Sequence, residues 1–330
     1  MKKHKICKIL LVILAIFLCV AFYELLGICV AYKKQPEVSN TTKKETKNGS
    51  WNECSENTER AVIIEKNPEA LLQRVRLIKN AKKEIILSTF AFQSDESGKL
   101  ILGALHDAAD RGVHIRLLVD GMESWIDMEG NPYFYGLSSH ENVEIKLYNK
   151  ANPLKPWKMM GRMHDKYLIA DGKRYILGGR NTYNYFLGDF PGHKNYDRDV
   201  LVVCDEPEKE NSVNQLLEYF ETIWEQEDSG YFHDNKKLAN RKSVKNAVLE
   251  LQNGYQKYFE ENKERICDTD YTDETFETEK IALVSNPIHT GPKEPVVWYQ
   301  LGELMKNAKE RVKIHTPYII CNDMMYNTWE

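Results

Sequence analysis

His164 and Lys166 lie two residues apart, just before the apolar run Tyr167 to Ala170, and Gly178-Gly179-Arg180-Asn181 follows a second apolar run, Tyr175 to Leu177. Between the runs, Asp171-Gly172 is a tight-turn signal, so the segment reads as strand, turn, strand. A turn centred on Asp171-Gly172 or Gly172-Lys173 brings residues 179 to 181 opposite His164, where paired Cα atoms sit roughly 5 Å apart. His164 and Asn181 then become neighbours. Side chains alternate along a strand, so His164 and Lys166 share a face. An imidazole there can act as nucleophile or proton carrier near neutral pH, while the ammonium and the amide can hold the non-bridging oxygens of a phosphate. Gly178 and Gly179 leave backbone room for the anion. The plainer reading is a surface hairpin with a polar face. Gly-Gly-x-Asn, placed where the hairpin needs it, makes phosphodiester chemistry the better account.

The pattern His-x-Lys-x4-Asp-x6-Gly-Gly-x-Asn, supplied by His164, Lys166, Asp171, Gly178, Gly179 and Asn181, resembles the HKD signature of the phospholipase D superfamily. The phrasing Arg162-Met163-His164-Asp165-Lys166, with Gly-Gly-Arg-Asn and aromatics after it, is similar to bacterial cardiolipin synthases and related phosphatidyltransferases. The resemblance covers about residues 58 to 330. It implies an α/β fold with a mixed sheet sandwiched between helices, and a reaction in which one His attacks phosphorus to form a phosphohistidine. A His from a second, facing motif protonates the leaving alcohol, and a second alcohol or water then releases the phosphatidyl group. Lys and Asn side chains stabilise the five-coordinate phosphorus, so neither a metal nor another cofactor is implied.

On this resemblance His164 is the nucleophile, and Lys166, Asn181, Gly178 and Gly179 hold the phosphate. Asp171 belongs to the signature, although its place at the turn suits a structural role at least as well. An acid at the start of a later strand is implied to orient the imidazole. Asp199 matches best within Asp197-Arg198-Asp199; Asp197 is the alternative, and either could pair with Arg198 or Arg180 instead.

The elements that must position these residues alternate from Arg60 onward. Ala61 to Ile64 reads as a strand, Pro68 to Asn80 as an amphipathic helix, and Glu84 to Phe92 as a strand. A helix from about Lys99 to Arg111 stops at Gly112, and the strand Val113 to Val119 ends at Asp120-Gly121. Residues 121 to 142 read as a long packed loop whose aromatics cover the sheet edge, with a lipid-contacting lid as the other reading. Val143 to Tyr148 and Val200 to Val203 are further strands, and the helix Ser212 to Glu227 closes the unit. Such alternation implies helices on both faces of a sheet, with chemistry in loops at the strand ends.

Ile6 to Tyr32 is apolar apart from Lys8 and Glu24 and follows Lys2, Lys3 and Lys5. A span from Ile6 to Tyr23 is long enough to cross a bilayer, and no small-x-small cleavage site follows it, so residues 1–32 are expected as an uncleaved single-pass anchor. The expected location is the cell membrane with the catalytic part extracytoplasmic, although lysines flank both ends of the span. Residues 33–57 read as a flexible polar linker. A net charge of -4 gives no whole-chain basic footprint, which disfavours nucleic acid and favours a phospholipid partner. Of seven cysteines, Cys7, Cys19 and Cys29 lie in or beside the apolar N-terminus, and Cys54, Cys204, Cys267 and Cys321 are scattered without metal or redox spacing.

The expected domains are therefore 58–228, the first complete unit; 229–277, a helical and acidic connector; and 278–330, the start of a second unit. The last rests on a repeat. Leu77-Ile78-Lys79-Asn80-Ala81-Lys82 matches Leu304-Met305-Lys306-Asn307-Ala308-Lys309 at an offset of 227 residues. The same offset carries His164 to position 391, past residue 330. A truncated product or one part of a split gene is expected, with the second half supplied by a separate chain or a second copy. A nuclease-like phosphodiesterase of the same superfamily, and a catalytically inactive remnant or binding subunit, are the competing functions.

Overall fold

The computed structural model describes residues 2–49, 59–204, 211–233, 235–314, 316 and 326. The chain divides into two compact bodies. One holds Met1–Cys54, Lys155–Trp157 and Ala282–Glu330; the other holds Ser55–Leu154 and Lys158–Ile281.

The second body is built on a nine-stranded sheet. Its strands are β1 (Arg60–Ile64), β2 (Glu84–Thr89), β3 (His114–Asp120), β4 (Val143–Tyr148), β5 (Tyr167–Ala170), β6 (Arg174–Gly178), β7 (Asp199–Val203), β8 (Ser229–Tyr231) and β9 (Phe276–Glu277). They lie in the order β8-β4-β3-β2-β5-β6-β7-β1-β9, with β2, β3 and β4 mutually parallel and every other pairing antiparallel. The centre reads as an unbroken apolar run because both faces are covered: Ile85, Ile86 and Leu87 are all buried.

One face carries α3 (Asn67–Asn80), α4 (Glu96–Asp110), α6 (Pro132–Ser138) and α8 (Lys242–Glu261), which share a single core with Ile85, Ile115, Leu168 and Leu201. Pro68 sits in the first turn of α3, where a missing N–H costs nothing. Asp95 caps α4 by accepting from the Gly98 N–H at 3.0 Å, and Gly112, at φ +87°, ends it. The opposite face carries α7 (Ser212–Trp224), where Phe220 lies under the Arg116 guanidinium and Ser212 bonds the Tyr175 hydroxyl.

Three expectations are corrected. Residues 121 to 142 form two short helices, α5 (Glu123–Met128) and α6, instead of a loop, and Phe134 packs edge-on against Phe92 within the core instead of over a sheet edge. Residues 229–277 are part of this body rather than a connector. They supply the edge strands β8 and β9, the helix α8 against α4 and α6, and α9 (Lys263–Cys267) against α3. The acidic stretch is likewise not simply solvated: Asp268 and Glu274 pair at 3.2 and 3.0 Å with Arg76, whose side chain is buried and lies over the Tyr271 ring.

In the other body, α1 (Lys2–Tyr32) contains Lys5–Tyr32, a stretch of 28 residues apolar enough to cross a membrane. At 1.5 Å per residue it is about 42 Å long, against a hydrocarbon core of about 30 Å. Where a flexible linker was expected, Asn40–Asn48 forms α2, capped by Ser39 and tied to Glu294, which accepts from the Ser39 N–H at 2.8 Å and the Thr42 hydroxyl at 2.6 Å. Residues 50–57 of that linker lie outside the described residues.

The repeat has a local structural counterpart. Helix α10 (Val296–Lys306) ends as α3 does, with Asn307 and Asn80 each returning an amide N–H to the carbonyl four residues back, at 2.8 and 2.9 Å. The matching apolar residues differ in burial: Leu77, Ile85 and Leu87 are buried, whereas Leu304, Val312 and Ile314 are exposed. Among the described residues, 309–314 form no strand, and 315 and 317–320 lie outside them.

Candidate active site

The parallel strands β2, β3 and β4 end, β5 begins and β6 ends at one end of the sheet, and His164, Lys166 and Asn181 gather there. The hairpin register confirms the counting: Tyr167 faces Leu177, Ala170 faces Arg174, and the Gly178 N–H donates to the Lys166 carbonyl at 3.1 Å. Phe90, just past β2, gives the site its wall. The His164 ring packs on it with centroids 4.7 Å apart, and Lys166 Nζ lies 5.2 Å from the same ring. Asn181 reaches the next residue, accepting from the Ala91 N–H at 3.2 Å through Oδ1. Two sides of the hairpin therefore converge on Phe90-Ala91.

The electrostatics suit a nucleophile beside a cation. His164 is exposed, so its ring is open to substrate. Its pKa is lowered, first by desolvation against its neighbours and then by the Lys166 ammonium, with Asp165 and Asp120 opposing. The neutral imidazole, with a lone pair to donate, is thus favoured at neutral pH. Lys166 is buried and donates to the His164 carbonyl at 2.6 Å; burial pushes it down to about 8, against Asp165, Asp197 and Asp120. With Oδ1 of Asn181 engaged, its NH2 group faces the Tyr183 hydroxyl oxygen and has a second N–H to donate.

Other expected residues go elsewhere. Asp171 sits at the far end of β5 from His164, in the left-handed region at φ +55°, and accepts the N–H groups of Lys82, Lys83 and Glu84 at 2.8, 2.7 and 3.0 Å. It locks the hairpin turn to the connection between α3 and β2. Asp199 is not the partner of the imidazole. Its buried carboxylate pairs through Oδ2 with Arg74 at 2.9 Å and Arg180 at 3.2 Å, while among the described residues Oδ1 has no hydrogen-bond partner. Asp197, the alternative, accepts from the Arg198 N–H at 2.7 Å, and among the described residues no hydrogen bond joins it to His164. The space beside Gly178 and Gly179 is also filled. A Cβ on Gly178 would strike Asp199 Oδ1 and the Arg198 carbonyl, and one on Gly179 would strike the Asp197 carboxylate. These glycines admit strand β7, not an anion.

Sequence reasoning missed Phe90 and Asp120. Asp120 is fully buried at the end of β3 and accepts the Met163 N–H at 3.0 Å, the Arg162 guanidinium at 3.1 Å and the Met122 and Glu123 N–H groups at 3.0 Å. It thereby fixes the backbone one residue before His164. An acid at the carboxyl end of a parallel strand was the available signal. Asp165 turns to the opposite side, accepting from the Tyr219 hydroxyl at 2.7 Å. Burial and that carboxylate drive the Tyr219 pKa far up.

Residues 74–224 match a model of the family described as "Cardiolipin synthase, PLD-like domain". An uncharacterized protein of Helicobacter pylori strain J99 / ATCC 700824 is 28% identical over 292 residues, covering 79% of this chain and 54% of its own. Cardiolipin synthase C of Escherichia coli strain K12 is 29% identical over 171 residues, covering 48% of this chain and 34% of its own. Among solved structures, NucT from Helicobacter pylori is similar with a TM-score of 0.41 and 17% identity, over 53% of this chain and 99% of that one. The chain thus spans about half the length of the first curated relative it matches. By the match to this domain and to its cardiolipin synthase relatives, residues 74–224 are similar to the PLD-like domain of the phospholipase D superfamily.

Proposed function

We propose that this chain is a membrane-anchored phosphodiesterase of the phosphatidyltransferase type, with His164 as nucleophile toward a phospholipid. The observation that carries this reading is the exposed imidazole, favoured in its neutral form, beside a buried ammonium and across a hairpin from a buried amide. A ring nitrogen of His164 attacks phosphorus while the Lys166 ammonium and the Asn181 NH2 hold the non-bridging oxygens. The bond to the leaving alcohol breaks, and its oxygen takes a proton from a second His supplied by a separate chain or a second copy. An acceptor alcohol or water then attacks the phosphohistidine, its proton passes to the second His, and the N–P bond breaks to regenerate His164. The apolar α1 supports a lipid over a soluble diester, because it would hold the chain at a bilayer.

The test is the His164→Ala variant of the chain combined with its second half and offered labelled phospholipid. Both phosphatidyl transfer and the acid-labile phosphoprotein are expected to vanish. Undiminished turnover would remove the nucleophile assignment. Cleavage of a nucleic-acid diester without phospholipid turnover would replace the lipid with a nucleic acid.

A further inference from the structure

The body of residues 55–154 and 158–281 exposes eleven large hydrophobic side chains among those described, and seven of them lie in the three loops that follow β3, β4 and β6. Those loops leave the sheet at the end where His164 stands. Met122, Trp125 and Ile126 occupy the first, Met160 the second and Tyr196 the third; Ile126 is 75% exposed and Tyr196 82%. Helix α5 sits directly at the site, since the Ser124 hydroxyl donates to the Phe90 carbonyl at 2.9 Å and the Phe90 ring packs on His164. Met128 anchors this six-residue helix in the core, while Trp125 and Ile126 stay exposed beside the site.

We infer that this rim is a membrane-docking surface: Trp125, Ile126 and Met122 of α5, with Met160 and Tyr196, enter the interface of a lipid bilayer and bring His164 to the depth of the phosphodiester. The inference rests on the lipid reading above. A bilayer is the occupant because Trp and Tyr favour the headgroup region and Ile and Met the acyl boundary, and because the same chain carries an apolar helix of spanning length. Attraction is apolar more than electrostatic. Within this body the loop after β4 brings Lys150, Lys158 and Arg162, but Glu123, Asp127 and Glu129 of the first loop offset them. Docking should therefore change little with salt.

The experiment uses the full chain reconstituted in phosphatidylcholine vesicles with and without brominated acyl chains. Subtracting the emission of Trp125→Phe from that of the unaltered chain isolates Trp125. That difference signal should fall by about half in brominated vesicles, as expected for an interfacial indole, and should recover in the Ile126→Glu variant. An unquenched Trp125 overturns the inference. So does quenching or shielding that varies with protein density in the vesicle, which would mean that a second copy covers the rim. His164→Ala should leave the quenching intact, so failure of the catalytic reading and failure of the docking surface register separately.

Discussion

In the mechanism proposed above, the His164 and Lys166 pair gives the reaction a defined pH window. His164 attacks only when neutral, and its lowered pKa moves the acid limb below the ordinary imidazole range. Lys166 holds phosphate only when charged, and that charge is lost as pH rises through about 8. A kcat/KM profile should therefore fall on the alkaline side near that value, and Lys166→Arg should move the alkaline limb upward because a guanidinium stays protonated. An unmoved limb in that variant would assign it to another group. The pair and Asn181 were legible because one hairpin contains them all. Phe90 and Asp120 were not, because nothing local marks a residue that meets His164 only once distant strands are paired. Asp199 misled for the same reason, since Arg74, its partner at 2.9 Å, is 125 residues away.

The β5–β6 hairpin is paired into the sheet on both sides, and Asp171 adds a tie between its turn and the connection from α3 to β2. Asp171→Ala removes the acceptor of three backbone N–H groups and puts alanine at a φ of +55°. The loss should be about 1–3 kcal/mol in urea unfolding, with turnover per folded molecule unchanged. Asp171→Asn, which tolerates the same backbone and keeps one acceptor oxygen, should lose less. Reduced turnover at unaltered stability would give Asp171 a chemical part after all. The strands and long helices were readable from their periodicity to within a few residues, as with Lys99 to Arg111 against the observed Glu96–Asp110. The short helices α5 and α6 were not, because six or seven residues hold too few turns to show a repeat.

At the scale of the molecule, the first unit extends past the helix that had looked like its close. Val244, Leu251, Tyr255 and Phe259 of α8 and Ile266 of α9 belong to the same core as α3 and α4. A fragment of residues 59–228 should expose that apolar face and aggregate, whereas 59–281 should give a soluble product with a cooperative thermal transition. A cooperative 59–228 fragment would show that α8 is dispensable. The apolar face of α8 was visible in the sequence, but which surface it covered was not. The sheet of this body finishes in β8, three residues long, and β9, two residues long. Edges that brief offer an incoming strand almost no ladder to extend. Recruitment of another polypeptide by annealing to the sheet margin is thereby discouraged, leaving side-chain surfaces as the means by which assembly must proceed.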